Sequence, residues 1–132
     1  MRKLESLKAW KKSQEVAHVA YTITMTPSLR HHFALIDQIR RAALSVPANI
    51  AEGYALGSTP QFIRCIRISL GSAAELLSHL ELLQQLAIVP PDSVTAAIVL
   101  TDATLSLLVG LLKALNRKTS HASPFSLPSS RM

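Results

Sequence analysis

Apolar residues recur at helical spacing in four successive stretches of the chain, and each stretch is closed by turn-forming residues. In the first, Leu7, Trp10, Gln14, Ala17 and Tyr21 share a face, while Val16, Val19, Ala20 and Ile23 form a second apolar patch away from it. The second stretch repeats through Leu35, Ile39, Ala42, Val46, Ile50 and Tyr54, and the third through Phe62, Ile66, Ala73, Leu77, Leu80 and Leu83. In the fourth, Val94, Ile98, Leu105, Leu108 and Leu112 make the core stripe. The breaks fall at Thr26-Pro27-Ser28, Gly57-Ser58-Thr59-Pro60 and Val89-Pro90-Pro91-Asp92. Helices are therefore predicted over about residues 6–25, 30–56, 60–87 and 92–116. Residues 117–132, rich in Ser and Pro, read as a disordered basic tail. Long helices joined by short loops predict an all-α, up-down-up-down four-helix bundle occupying residues 1–116.

Local chemistry refines the ends. Ser58 or Thr59 can cap the third helix, with Pro60 in its first turn, and Asp92 can cap the fourth. Pro47 lies inside the second helix and cannot donate to the carbonyl of Ala43. The apolar phase is the same on both sides of it, so one kinked helix is expected rather than two. Gly71-Ser72 interrupts the third helix at a cost of about 1 kcal/mol relative to Ala. Close approach of another backbone, from the Pro47–Asn49 region, is the expected compensation.

The fourth helix carries a second apolar face, made of Ala96, Leu100, Ala103, Leu107, Leu111 and Ala114. Its polar arc is limited to Thr95, Asp102, Ser106 and Lys113, so both faces are expected to be covered. A transmembrane span over 94–115 would explain the same pattern, but Asp102 and several hydroxyls argue against it. Homo-oligomerisation is the prediction, with Ala96, Leu100, Ala103, Leu107 and Leu111 at the interface and no membrane as partner.

Composition agrees with a packed helical domain: 48% of the 132 residues are hydrophobic and 17% charged, which excludes a mostly disordered chain. The single cysteine, Cys65, excludes an internal disulfide and a multi-cysteine zinc site. A start without an apolar run predicts no signal peptide and a cytoplasmic protein. The glycines match no nucleotide-binding fingerprint, and the histidines and carboxylates match no metal-binding spacing. We expect no catalytic residues, no cofactor and no enzymatic activity.

Charge is more informative. The net charge is +6, and it is unevenly spread. Arg2, Lys3, Lys8, Lys11 and Lys12 face only Glu5 near the start, and Lys113, Arg117, Lys118 and Arg131 face no acid near residue 132. In the predicted topology Lys8, Lys11, Lys12, Arg64, Arg67, Lys113, Arg117 and Lys118 share one end of the bundle, a footprint for RNA or DNA phosphates. The competing reading is that Lys113, Arg117 and Lys118 offset a helix dipole. An acidic protein would suit the same surface. On the second helix, Gln38, Arg41, Ser45, Asn49 and Glu52 form a polar ladder. It reads as a structural hydrogen-bonded network, with Arg41 pairing Glu52 or Glu75, or as a ligand groove.

The stretch from Gln38 to Gly53, QIRRAALSVPANIAEG, resembles the signature of the bacterial proteins encoded in intervening sequences of 23S ribosomal RNA genes. The stretch from Ser69 to Leu76, SLGSAAEL, resembles that family's second motif, and the stretch from Leu7 to Trp10 its opening one, so the resemblance spans about residues 4–115. It implies a four-helix bundle in a ring-like homo-oligomer, often a pentamer, and supplies no catalytic residues. A distant relative, the accessory protein of diversity-generating retroelements, is a basic pentameric bundle that binds nucleic acid and a reverse transcriptase. Where the family often places an acidic and aromatic pair before the second helix, this chain has Arg30-His31-His32-Phe33.

Overall fold

The computed structural model describes residues 2–122, with side chains from 5 to 117. Four α-helices, α1 (Arg2–Ile23), α2 (Phe33–Leu56), α3 (Thr59–Leu86) and α4 (Pro91–Ala122), form the described bundle, with a short 3-10 turn (Pro27–Leu29) between the first two. Each packs on its sequence neighbour, and α1 also packs on α4, closing an antiparallel up-down-up-down ring of four helices. The α2–α3 contact is the most extensive and the α1–α4 contact the least.

The helix ends follow from local chemistry. Gly57, at φ 86°, takes the left-handed conformation that stops α2. One residue later the Ser58 hydroxyl accepts from the backbone N–H of Gln61, opening α3, and also bonds the Gln61 side chain. Ala87 ends α3 with a positive φ of 56°, unusual for a residue with a Cβ. Beside Ala87, at the end of the bundle opposite Gly57, the Ser28 hydroxyl donates to the carbonyl of Ile88, tying the α1–α2 turn to the α3–α4 turn. Two boundaries differ from expectation. α4 begins at Pro91, so Asp92 lies inside its first turn, where its carboxylate still complements the positive end of the dipole. The helix also runs on through 117–122, which were expected to belong to the tail; the rest of that tail lies outside the described residues.

α2 runs through Pro47 as one helix, and the kink there is minor. Pro47 is buried, and α2 is held against α3 before it by Ser45 and Val46 and after it by Gly53. Ser69 donates to the carbonyl of Val46 (2.7 Å), and Ser72 donates to the hydroxyl of Ser45 (2.7 Å). The close approach of α2 and α3 is not at Gly71, which is exposed and has open space around it. It is at Gly53, where an added Cβ would sit 2.7 Å from the Cβ of Cys65 and 2.9 Å from the Phe62 ring. Gly71 was expected there because a mid-helix glycine suggests a packing reason; the spacing of the buried stripe instead turns Gly71 to solvent.

The core has two clusters. One gathers Val16, Ala20, Ile39, Ala43, Leu76, Leu80, Val94 and Ala97; the other gathers Ala9, Val46, Ile50, Phe62, Ile66, Leu108, Leu111 and Leu115. On the α1–α4 half, buried Ser13, Thr101 and Thr104 lie between them. Each of these hydroxyls donates to a carbonyl of its own helix, so burial leaves none of them unpaired.

Which faces are buried departs from expectation in α1 and α4. The buried stripe of α1 is Ser6, Ala9, Ser13, Val16, Ala17, Ala20 and Ile23, whereas Leu7 is 44% exposed and Trp10 and Tyr21 are half-buried. Small residues won that face because they let α1 sit close to its neighbours. In α4 the buried stripe is Val94, Ala97, Thr101, Thr104, Leu108, Leu111 and Leu115, at alternating three- and four-residue steps. Ile98, Leu105 and Leu112 flank it half-buried. By length and composition 91–117 could cross a membrane, an 18-residue window within it having a mean hydropathy of 1.9; here it is the fourth helix of the bundle. In α3, Leu76 is fully buried and Leu77 half-buried, a shift of one position from the predicted stripe.

Candidate functional site

The topology brings the starts of α1 and α3 and the ends of α2 and α4 to one end of the bundle. Lys8, Arg64, Lys113 and Arg117 are exposed towards that end, Lys11 and Arg67 are exposed nearer mid-height of the same half, and Lys12 is half-buried there beside Glu15 at 3.8 Å. The side chain of Lys118 lies outside the described residues. Lys11, Arg64 and Lys113 stand opposite the buried stripes of their helices, on three different outer faces. They make a collar of positive charge rather than a single cleft. Glu5, Glu15 and Glu52 are the acids of the same end. Asp37, Glu81 and Asp92 belong to the other end, where Arg30, Arg40 and Arg41 balance them, so one end of the bundle is basic and the other near neutral.

The expected oligomer residues divide. Ala96 and Ala103 are exposed, Leu100 and Leu107 are half-buried, and Val99 between them is 64% exposed. Leu111 is 5% exposed and packs in the second core cluster, so it belongs to the bundle's own interior. Its place on the predicted outer face came from taking Leu105 and Leu112 as the stripe; the stripe runs one position earlier. A shallow hollow of about 270 Å³ on the α1–α4 seam brings Lys8 beside Leu107, Gly110 and Ala114. Basic and apolar features predicted separately therefore meet on one seam.

The polar ladder of α2 lies along its seam with α3. Asn49 donates through Nδ2 to the carbonyl and hydroxyl of Ser45 (2.9 and 3.0 Å), and Ser72 reaches the same hydroxyl from α3. These residues join the two helices around Pro47. Gln38 is half-buried on the same face, and Arg41 and Glu52 are exposed. Among the described residues no ion pair joins Arg41 to Glu52 or to Glu75, because Arg41 points outward. Glu75 instead lies 3.5 Å from His79 Nε2, at a geometry too poor for a hydrogen bond.

Sequence reasoning missed an apolar hollow of about 280 Å³ on the α1–α2 seam, lined by Ser6, Leu7, Trp10, Ile50, Ala51 and Tyr54. The Ser6 hydroxyl beneath it is buried and has no hydrogen-bond partner. A second hollow, of about 390 Å³, opens at the bundle end among Gly53, Tyr54, Gly57, Phe62 and Leu115. Tyr54 is common to both and contacts Phe62 edge to face, with ring centroids 6.2 Å apart. The signal that would have found them is the three-four spacing of Ser6, Ala9, Ser13, Val16 and Ala20, which turns Leu7 and Trp10 outward. Further along this seam, Arg40 stacks on Tyr21 (Cζ 4.2 Å from the ring centre) and donates through Nε to the Thr24 hydroxyl (2.8 Å).

Among the described residues, no three His, Cys, Asp or Glu side chains are grouped to hold a metal ion. Cys65 is buried against Gly53. The fold and its surface define the class: an antiparallel four-helix bundle with a basic end and apolar outer seams. The chain belongs to the 23S rRNA-intervening sequence protein family, whose model matches residues 5–110. Among solved structures it is similar to a protein of unknown function from the S23 ribosomal protein family of Bacteroides thetaiotaomicron. The two share 24% identity and a TM-score of 0.74, over 83% of this chain and 98% of that one, a likeness of fold. No curated relative matches the chain.

Proposed function

We propose that the protein is a non-enzymatic, cytoplasmic homo-oligomer that binds RNA or DNA through phosphate contacts at its basic end. The observation that carries this reading is the charge polarity of the bundle. Seven described basic residues, Lys8, Lys11, Lys12, Arg64, Arg67, Lys113 and Arg117, belong to the half of the bundle that holds the starts of α1 and α3 and the end of α4, which supports the reading. Lys8, Lys11, Lys12, Arg64 and Arg67 lie beyond the first turns of α1 and α3, so the helix dipoles do not account for them. Such a surface recognises backbone phosphates rather than base edges. Assembly follows from the outer face of α4, where Ala96, Val99 and Ala103 leave apolar surface uncovered. The family resemblance suggests a ring of five.

Filter binding to single-stranded RNA and to duplex DNA tests the first part. With about four phosphates engaged, affinity falls about a hundredfold between roughly 50 and 200 mM salt. Reversing Lys11, Lys113 and Arg117 to Glu abolishes that binding and leaves the oligomer intact. No binding at low salt, or binding indifferent to salt, refutes it; retention of an acidic protein instead of nucleic acid assigns the surface to a protein partner. Light scattering tests assembly. Ala103→Arg, placed on an exposed face to spare the core, dissociates the oligomer without loss of helicity, and a wild-type monomer ends the assembly reading.

A further inference from the structure

The two hollows that flank Tyr54, an apolar one on the α1–α2 seam and a mixed one where Ser58 and Thr59 stand beside Phe62 and Leu115, match a feature of the sequence beyond α4. After Ala122 the chain reads Ser-Pro-Phe-Ser-Leu-Pro, with Phe125 and Leu127 two residues apart. Pro124 cannot continue a helix, and Pro124 and Pro128 each favour an extended backbone at the residue before them. In an extended segment, side chains at i and i+2 point the same way and stand about 7 Å apart. We propose that this segment folds back on its own bundle, with Phe125 in the hollow formed by Tyr54, Phe62 and Leu115 and Leu127 in the hollow formed by Leu7, Trp10 and Ile50.

Reach and location select this occupant. Leu115 lines the first hollow, and Ala122 lies seven residues further along the same helix, about 10 Å at the helical rise. Three extended residues from Ala122 to Phe125 span about 10 Å, enough to return to the level of Leu115. The tether holds the segment at an effective concentration on the order of millimolar, an advantage that a free partner lacks. Tyr54, 48% exposed between the hollows, presents its ring to the segment and is the wall that separates the two side chains. The most exposed large apolar residues lie elsewhere, Phe33 and Met25 at the far end of the bundle and Val99 on the outer face of α4.

Trp10 is the sole tryptophan and lines the Leu127 hollow, so its fluorescence reports occupancy directly. The experiment compares the full chain with its Phe125→Ser, Leu127→Ser double variant by emission maximum and acrylamide quenching, with circular dichroism confirming equal helicity. The variant shows a red-shifted emission and a quenching constant raised about twofold, because one face of the indole loses its apolar cover. A synthetic peptide of residues 123–132 added to the variant reverses both changes saturably. Equal quenching in the two proteins overturns the proposal, as does a peptide without effect. Dilution supplies the last check: protection of Trp10 in the full chain is independent of concentration. Protection that falls on dilution, in step with molecular mass, places the segment on a second copy and overturns docking on its own bundle.

Discussion

Gly53 and Gly71 are both helix-interior glycines, and the structure assigns opposite consequences to the same substitution at each. Replacing a helical glycine by alanine removes unfolded-state freedom and improves propensity, together about 1 kcal/mol. At Gly71 nothing lies within 4 Å of the new methyl, so Gly71→Ala stabilises by that amount. At Gly53 the methyl would sit 2.7 Å from Cys65 Cβ, 2.9 Å from Phe62 Cδ1 and 3.3 Å from Phe62 Cα. Two of these atoms are a Cβ and a backbone carbon, so relief requires α2 and α3 to separate rather than a side chain to rotate. Overpacking of this kind costs about 1–3 kcal/mol, and more where backbones must move. The net expectation for Gly53→Ala is a loss of about 1–2 kcal/mol, leaving the two variants about 2–3 kcal/mol apart. In a domain of this size 1 kcal/mol moves the melting temperature by about 3–5 °C. Thermal and urea melts followed by circular dichroism, at one protein concentration, measure the difference, with m values unchanged. Gly53→Ala as stable as wild type would refute the close approach of α2 and α3.

Two further outcomes follow from single side chains. Ser6 has a buried hydroxyl without a partner, so Ser6→Ala raises the melting temperature by about 3–5 °C, the effect of about 1 kcal/mol; a lower value would show that the hydroxyl is bonded. Arg40→Lys keeps the charge but removes both the stack on Tyr21 and the Nε bond to Thr24, and destabilises by about 1 kcal/mol. A urea midpoint equal to wild type would mean that neither contact holds α1 to α2.

The four helices and their order were legible because the signals are local. Pro27, Gly57, Ser58 and the Pro90-Pro91 pair act within a few residues of themselves, and they placed the breaks to within a few positions. The basic end was legible for a related reason: short loops force antiparallel neighbours, and that alone decides which termini meet. The faces were harder. In α1, Leu7, Trp10 and Tyr21 outweigh Ser6, Ala9 and Ser13 in hydrophobicity, yet the smaller residues face the core. In α4 almost every arc is apolar, so periodicity cannot choose between neighbouring phases, and the true stripe runs through Thr101 and Thr104. Arg41 illustrates the same limit: its spacing to Glu52 allowed a pair, and its outward direction removed it.

By itself the sequence determined an all-α bundle, the order and approximate limits of its helices, its family and its basic end, since each rests on composition, on a local motif or on interactions between near neighbours. Only the tertiary structure decided which faces are buried, that α2 and α3 close at Gly53 rather than Gly71, and that Tyr54 stands between two open hollows. Those outcomes depend on how near one helix axis can come to another. That distance is set by the sizes of residues far apart in the chain, which no periodicity within a single helix records.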